Sequence, residues 1–374
     1  MGLAGVLCCA PLAGVLFAEQ APNPTPADAA KSKDAIKAEK RQAALEGLEQ
    51  QMRYASATER KRAIRRVTRL EAEEQPPFLK LLDEFARDDL DYSVREASLR
   101  TMGKAKYEAG LPTMVAALKD ERREVVLAAI AALDALESPE ARTPLAELLK
   151  TADFTESDPM IGAAIRLLGK LKYREIAPFL KEKAAAESTQ NAARLAIVLF
   201  FGASGADDMN SYLVDLVQDD DAEIITRAYA VNSIGKLKNK ANAPALREEL
   251  DKIRNLANPR ERARFSSLKL QLLTALVRLG DDSVDQELLA AARDDDARVR
   301  VRAIVQLGEA RLEKARPLLR YIIDHDASKG ARQAATKALK QINGESPDGA
   351  DDSAMEDQDS PDDEPKSDAG EAGD

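Results

Sequence analysis

The one imidazole in these 374 residues is His325, set in Asp324-His325-Asp326, and the two thiols are Cys8 and Cys9. A Ser-His-Asp type of catalysis needs its imidazole held between a nucleophile and an orienting acid. A transition-metal site generally needs several imidazole or thiolate ligands. Neither set can be assembled from this chain, so His325 reads as a surface turn residue. The runs Asp219-Asp220-Asp221 and Asp294-Asp295-Asp296 are oxygen-rich, as a hard cation requires. Calcium loops, however, interleave ligands with Gly at defined positions, and these runs lack that spacing. The expectation is a protein without catalytic residues, cofactor or metal.

The residues that can recognise something are basic. Arg62, Arg65, Arg66 and Arg69 fall at i, i+3, i+4 and i+7 of a helix expected over Glu59 to Leu70, opposite an apolar stripe of Ala63, Ile64, Val67 and Leu70. With Arg60 and Lys61 beside them they are the densest cationic patch in the chain, suited to phosphate, a run of carboxylates or an acidic protein surface. A second basic edge is formed by Lys104, Lys106, Lys170, Lys172, Lys236 and Lys238, all at expected helix ends, where cations are also favoured for local reasons.

The elements that carry these residues repeat. A Gly is followed nine residues later by Pro at Gly103/Pro112, Gly169/Pro178, Gly235/Pro244 and Gly308/Pro317, and Gly202 halves the interval between Gly169 and Gly235, so the unit is 33 residues long. Apolar residues recur at helical spacing, with turns every 12 to 20 positions, as antiparallel helix pairs require. Each first helix opens with Pro, which has no amide hydrogen to waste there. Asp91, Asp120, Asp158, Asp219 to Asp221 and Asp294 to Asp296 stand where second helices must start and are expected to cap them. Each second helix is expected to run to the Gly. One unit, ending near Leu136, lacks the Gly, and the unit between Gly235 and Gly280 is lengthened around Lys252 to Arg264.

Asp91-Tyr92-Ser93-Val94-Arg95 and Asp296-Ala297-Arg298-Val299-Arg300, each leading to a closing Met-Gly or Leu-Gly, resemble the HEAT repeat of bacterial HEAT-like proteins. The resemblance covers about four fifths of the chain and implies an all-α, right-handed α-solenoid of eight to nine helix pairs, with disordered termini. It also implies an inter-repeat ladder in which Arg95, Arg194, Arg227, Arg300 and Arg332 meet the turn acid of the same or a neighbouring unit, Asp91 and Asp296 among these acids, each partly exposed pair contributing about 1 kcal/mol or less. Solenoids of this kind usually offer a binding surface.

Composition sets the compartment and the partners. Residues 1–18 form a short apolar run ending in Ala18 and read as a signal peptide, too short for an integral membrane span. A lipid-anchored form through Cys8 or Cys9 is less favoured. Residues 19–34 read as a Pro/Ala-rich spacer, 35–342 as the solenoid and 343–374 as a disordered acidic tail with 13 acidic side chains and one Lys. The expected protein is therefore exported to the periplasm or cell envelope. There it serves as a non-enzymatic scaffold that grips another protein, an acidic one if the arginine patch is used, on the concave face lined by its second helices. Contact between the acidic tail and a basic solenoid face is a second expectation, and its loss on deletion of the tail should raise affinity for an anionic ligand. A lyase or chromophore-handling enzyme of the HEAT-like type, and a nucleic-acid binder, are the alternatives. The second is disfavoured by 4% aromatic content and a near-neutral body.

Overall fold

The computed structural model describes residues 26–345. Among these there are nineteen α-helices and no strand. In chain order they are α1 Pro26–Tyr54, α2 Ala57–Arg66, α3 Gln75–Asp88, α4 Tyr92–Lys104, α5 Leu111–Ala116, α6 Arg123–Leu136, α7 Arg142–Thr151, α8 Pro159–Lys170, α9 Ala177–Ala185, α10 Asn191–Ser204, α11 Asn210–Gln218, α12 Ile224–Leu237, α13 Ala243–Arg254, α14 Pro259–Arg264, α15 Ser266–Arg278, α16 Asp285–Ala291, α17 Ala297–Glu309, α18 Arg316–His325 and α19 Lys329–Ile342. They form nine antiparallel pairs, with α14 left over in the lengthened unit. The fold is an all-α solenoid. The expected signal segment, and the tail from residue 346, lie outside the described residues. The first helix begins at Pro26, within the stretch expected as a spacer.

Second helices stack on one another to form the inner row, and their buried faces make one continuous aliphatic core, with Leu99, Met102, Leu133, Ile161, Phe200 and Phe201 at no more than 2% exposure. The repeated Gly has a different task from the one its position suggests. Helix α4 runs past Gly103 to Lys104, and the left-handed residue comes three positions after the Gly, at Lys106, Lys172, Gly205, Lys238 and Arg311. What the Gly supplies is close approach. A Cβ on Gly103 would stand 2.6 Å from Ala132 Cα of the next second helix, and one on Gly202 would stand 2.5 Å from Ser233 Cα. Real carbon atoms do not pack that closely, so neighbouring helices can touch backbone to backbone only where the side chain is missing.

Three inner junctions lack this Gly: the opening one, α2/α4, and two within the stack that are built otherwise. Counting back three from the left-handed Glu137 and Gly280 places Asp134 and Val277 at the Gly position. There α6 meets α8, and α15 meets α17, along far fewer backbone neighbours than at the Gly-bearing junctions. Ion pairs span the wider gaps: Lys170 Nζ reaches Asp134 at 2.8 Å and Glu137 at 3.1 Å, and Arg278 reaches the Glu309 carboxylate at 3.0 Å.

The turn aspartates divide into two kinds. Asp91, Asp158 and Asp296 cap α4, α8 and α17, each accepting from the amide two residues on at 2.8 to 2.9 Å. Asp120 and Asp219 lie earlier and accept from turn amides, so α6 and α12 start without a side-chain cap. In the lengthened unit α13 has 12 residues, against nine in α9 and ten in α18, and most of the insertion lies beyond it. Asn258 caps a separate helix, α14, by accepting from the Arg260 amide at 2.9 Å.

Candidate functional site

Helix α2 is set by its ends. Ser56 and Glu59 form a capping box at its start, and the last turn tightens into a 3₁₀ segment, Val67–Arg69. Ala63, Ile64 and Val67 are sealed in the core at 1% exposure or less, which forces the intervening basic residues outward. Arg62, Arg65, Arg66 and Arg69 are all exposed. Arg66 Nη1 donates to Gln51 Oε1 at 3.3 Å, whereas Arg62, Arg65 and Arg69 form no ion pair with any described residue. Arg60, next to them in sequence, belongs to the interior. Its Nε donates to the Met52 carbonyl at 2.8 Å, its fork grips the Asp89 carboxylate, and it lies 4.9 Å from the centre of the Phe85 ring.

Arg60 introduces the ladder. In a complete rung the guanidinium of a second helix bonds a carbonyl near the end of its own first helix and also reaches an acid of the next unit. Arg95 bonds the Asp89 carbonyl and grips Asp120 through two bonds of 2.8 and 2.9 Å. Arg300 does the same with the Asp294 carbonyl and with Asp326 at 3.0 and 3.1 Å. Arg227 donates to the Val217 carbonyl at 2.9 Å and pairs with Glu249. Arg194 and Arg332 bind only carbonyls. Asp91 and Asp296, read from the sequence both as caps and as ladder acids, cap their helices, but their carboxylates meet none of the ladder guanidinium groups, because the reach of the Arg side chain carries it into the following turn. The reading of every pair as partly exposed is also corrected: Arg227 and Glu249 are each only 3% exposed. Residues missed in the sequence were Arg60, Asp89, Glu249 and Asp326, although Arg60 precedes Arg95 by about one repeat and was legible on that count.

The lysine edge is partly spent on the fold. Lys170 is paired as described, Lys172 Nζ donates to the Ala203 carbonyl at 2.8 Å, and Lys106, Lys172 and Lys238 occupy left-handed turns with φ of 50°, 58° and 55°. His325 is exposed at the end of α18, its ring 4.7 Å from that of Tyr321. An open cleft of about 550 Å³ nearby is lined by Arg293, Arg300, Tyr321 and Asp326, but its Arg300 and Asp326 are already bonded to each other. Among the described residues no group of three or more His, Cys, Asp or Glu could hold a metal ion. No described helix is long and apolar enough to cross a membrane. The arrangement offers recognition surface: a free cationic face at one end of a stack whose internal charges are mostly matched.

A family description, HEAT repeats, matches residues 76–158, 253–340 and 285–372. No curated protein matches the sequence. Among solved structures, the CpcE–CpcF complex of phycocyanin lyase from Nostoc sp. PCC7120 aligns at 16% identity over 70% of this chain and all of that one, with a TM-score of 0.37. A Kap121p mutant aligns at 15% identity over 80% of this chain and 37% of its own, with a TM-score of 0.43. Human deoxyhypusine hydroxylase in complex with glycerol aligns at 14% identity over 72% and 97%, with a TM-score of 0.31.

Proposed function

The chain belongs to the HEAT-repeat family, and we propose that it is a non-enzymatic protein-binding scaffold of the bacterial cell envelope whose α2 face receives an acidic segment of another protein. The observation that carries this reading is the contrast in how arginines are used. Arg60, Arg95, Arg227 and Arg300 are committed to acids of their own chain. Arg62, Arg65 and Arg69 share an exposed face without an ion pair among the described residues. Guanidinium groups spaced one helical turn apart match successive carboxylates, and arginine holds such a contact by paired hydrogen bonds. The reading of residues 1–18 as a signal peptide supplies the compartment.

The test compares the chain with its Arg62→Glu/Arg65→Glu/Arg69→Glu form as crosslinked baits in an envelope fraction, with captured chains identified by mass spectrometry. The expected result is one discrete protein bearing an acidic segment, lost on charge reversal and weakened between 0.05 and 0.5 M salt. Capture that survives the reversal would move the site off α2, and absence of any captured protein would remove the scaffold reading. Residues 1–18 fused to a reporter check the compartment: the reporter is expected outside the cytoplasm.

A further inference from the structure

Helix α14 is the one inserted element in the repeat, and it buries none of its own residues: Pro259, Arg260, Glu261, Arg262, Ala263 and Arg264 are all exposed. An isolated six-residue helix in water is not stable on propensity. It is held here by the Asn258 cap and by Arg262, whose Nη1 donates to the Leu256 carbonyl at 2.6 Å. Arg260 and Arg264 form no ion pair with any described residue, although Arg254 and Lys269, on the helices either side, both do. The lengthened unit thus displays a basic helix that adjoins the start of α15 but leaves every one of its own residues exposed.

The same chain holds a complement. Residues 348–364 contain nine carboxylates and not one Lys, Arg or His, and they begin six residues after Ile342, the end of α19. Reach decides which basic face this segment can serve. Second helices pack about 10 Å apart. From the ninth pair back to the seventh is therefore about 20 Å along the row, and the length of α19 adds about 20 Å more. The nineteen residues from 346 to 364 span at most about 60 Å. Helix α14 lies well inside that limit, whereas α2, eight steps away, lies about 80 Å along the row.

We propose that the distal part of this acidic segment, Asp359 to Glu364, docks on α14 of its own chain, with Arg260 and Arg264 as the contacts and the residues before it spanning the gap. It thereby screens this exposed basic helix while leaving the α2 patch open. This goes beyond the scaffold reading and does not depend on it. The contact is electrostatic and exposed, so it is present at low salt and lost at high salt.

Tryptic cleavage reads it directly, because the bonds after Arg260, Arg262 and Arg264 are exposed targets and those after Arg62 and Arg65 serve as an internal reference. The full chain is compared with a full chain in which the nine acids of 348–364 are changed to Asn or Gln. At 0.05 M salt the neutralised chain is expected to be cut in α14 about five- to tenfold faster than the native one. The two should cut alike at 0.5 M salt, with α2 cleavage equal throughout and the protection independent of protein concentration. Equal cleavage of α14 in the two chains at low salt would overturn the proposal. So would protection spread equally over α2, which would mean a diffuse field, or protection that grows with concentration, which would mean contact between copies. Loss of the α2-dependent partner leaves these cleavage ratios unchanged, so failure of either idea can be told from failure of the other.

Discussion

Arg227 and Glu249 show how far a single pair can depart from the average surface ion pair. Both side chains are 3% exposed, and Glu249 Oε2 has no hydrogen-bond partner, with Lys252 Nζ 3.4 Å away. Removing one member leaves the other buried with only an exposed partner, Asp220 at 3.2 Å for Arg227 and Lys252 for Glu249. Glu249→Ala or Arg227→Met should therefore cost about 3–5 kcal/mol, whereas the double change Arg227→Met/Glu249→Leu should recover most of the loss. Urea unfolding of the three proteins measures both. The glycines allow an equally sharp comparison. Gly202→Ala should destabilise by about 1–3 kcal/mol because the new methyl meets the Ser233 backbone. Gly162→Ala, in the same kind of helix, meets only the movable end of Arg166 at 3.3 Å and should be neutral or stabilising by up to about 1 kcal/mol. Thermal unfolding of the pair separates contact from helix propensity.

At the level of the element, turn carboxylates couple neighbouring units to pH. The hydrogen bonds from Arg300 hold Asp326 below the usual carboxylate range, and Arg247 does the same to Asp281. Asp120 is lowered as well, although its burial works to raise it, because Arg95 and the Arg122 amide outweigh that penalty. A carboxylate whose folded value is depressed contributes stability that is complete above its ordinary value, about 4. That contribution is lost as pH falls through the folded value. Urea midpoints should thus be flat from pH 7 to 5 and fall below about pH 4. Asp326→Asn should start lower at pH 7 and fall less steeply, and an equal slope in the two proteins would dismiss the ladder as the cause.

Across the whole molecule, stability in a stack is a sum of units and the interfaces between them. The Gly-bearing junctions α4/α6, α8/α10, α10/α12, α12/α15 and α17/α19 bring backbones together, while α6/α8 and α15/α17 rely on Lys170 and Arg278 to bridge a wider gap. The solenoid should therefore open first at these two joints. Native-state hydrogen exchange is expected to show the highest protection in α10 and α12. Amides of α6 and α17 that face the joints should exchange earlier, and the difference should grow with Lys170→Ala. Uniform protection along the inner row would show that the ion pairs close the gaps as well as glycine does.

Repeat length, the helix pairs, the apolar faces and the outward arginines of α2 were all decided by residue type and spacing, because helical periodicity and the preferences of Pro, Gly and Asp are local. Where each charge finds its partner was not. Arg95 and Arg300 reach past the capping aspartates to Asp120 and Asp326 because the stacking of one unit on the next brings those acids within reach. No single unit contains that distance. The recurring Gly looked like a helix terminator and proved to be a clearance between helices, and the lengthened unit put most of its extra residues into a helix set apart, α14. Clearance and placement depend on atoms some thirty residues away in the chain, and only the packed structure brings them together.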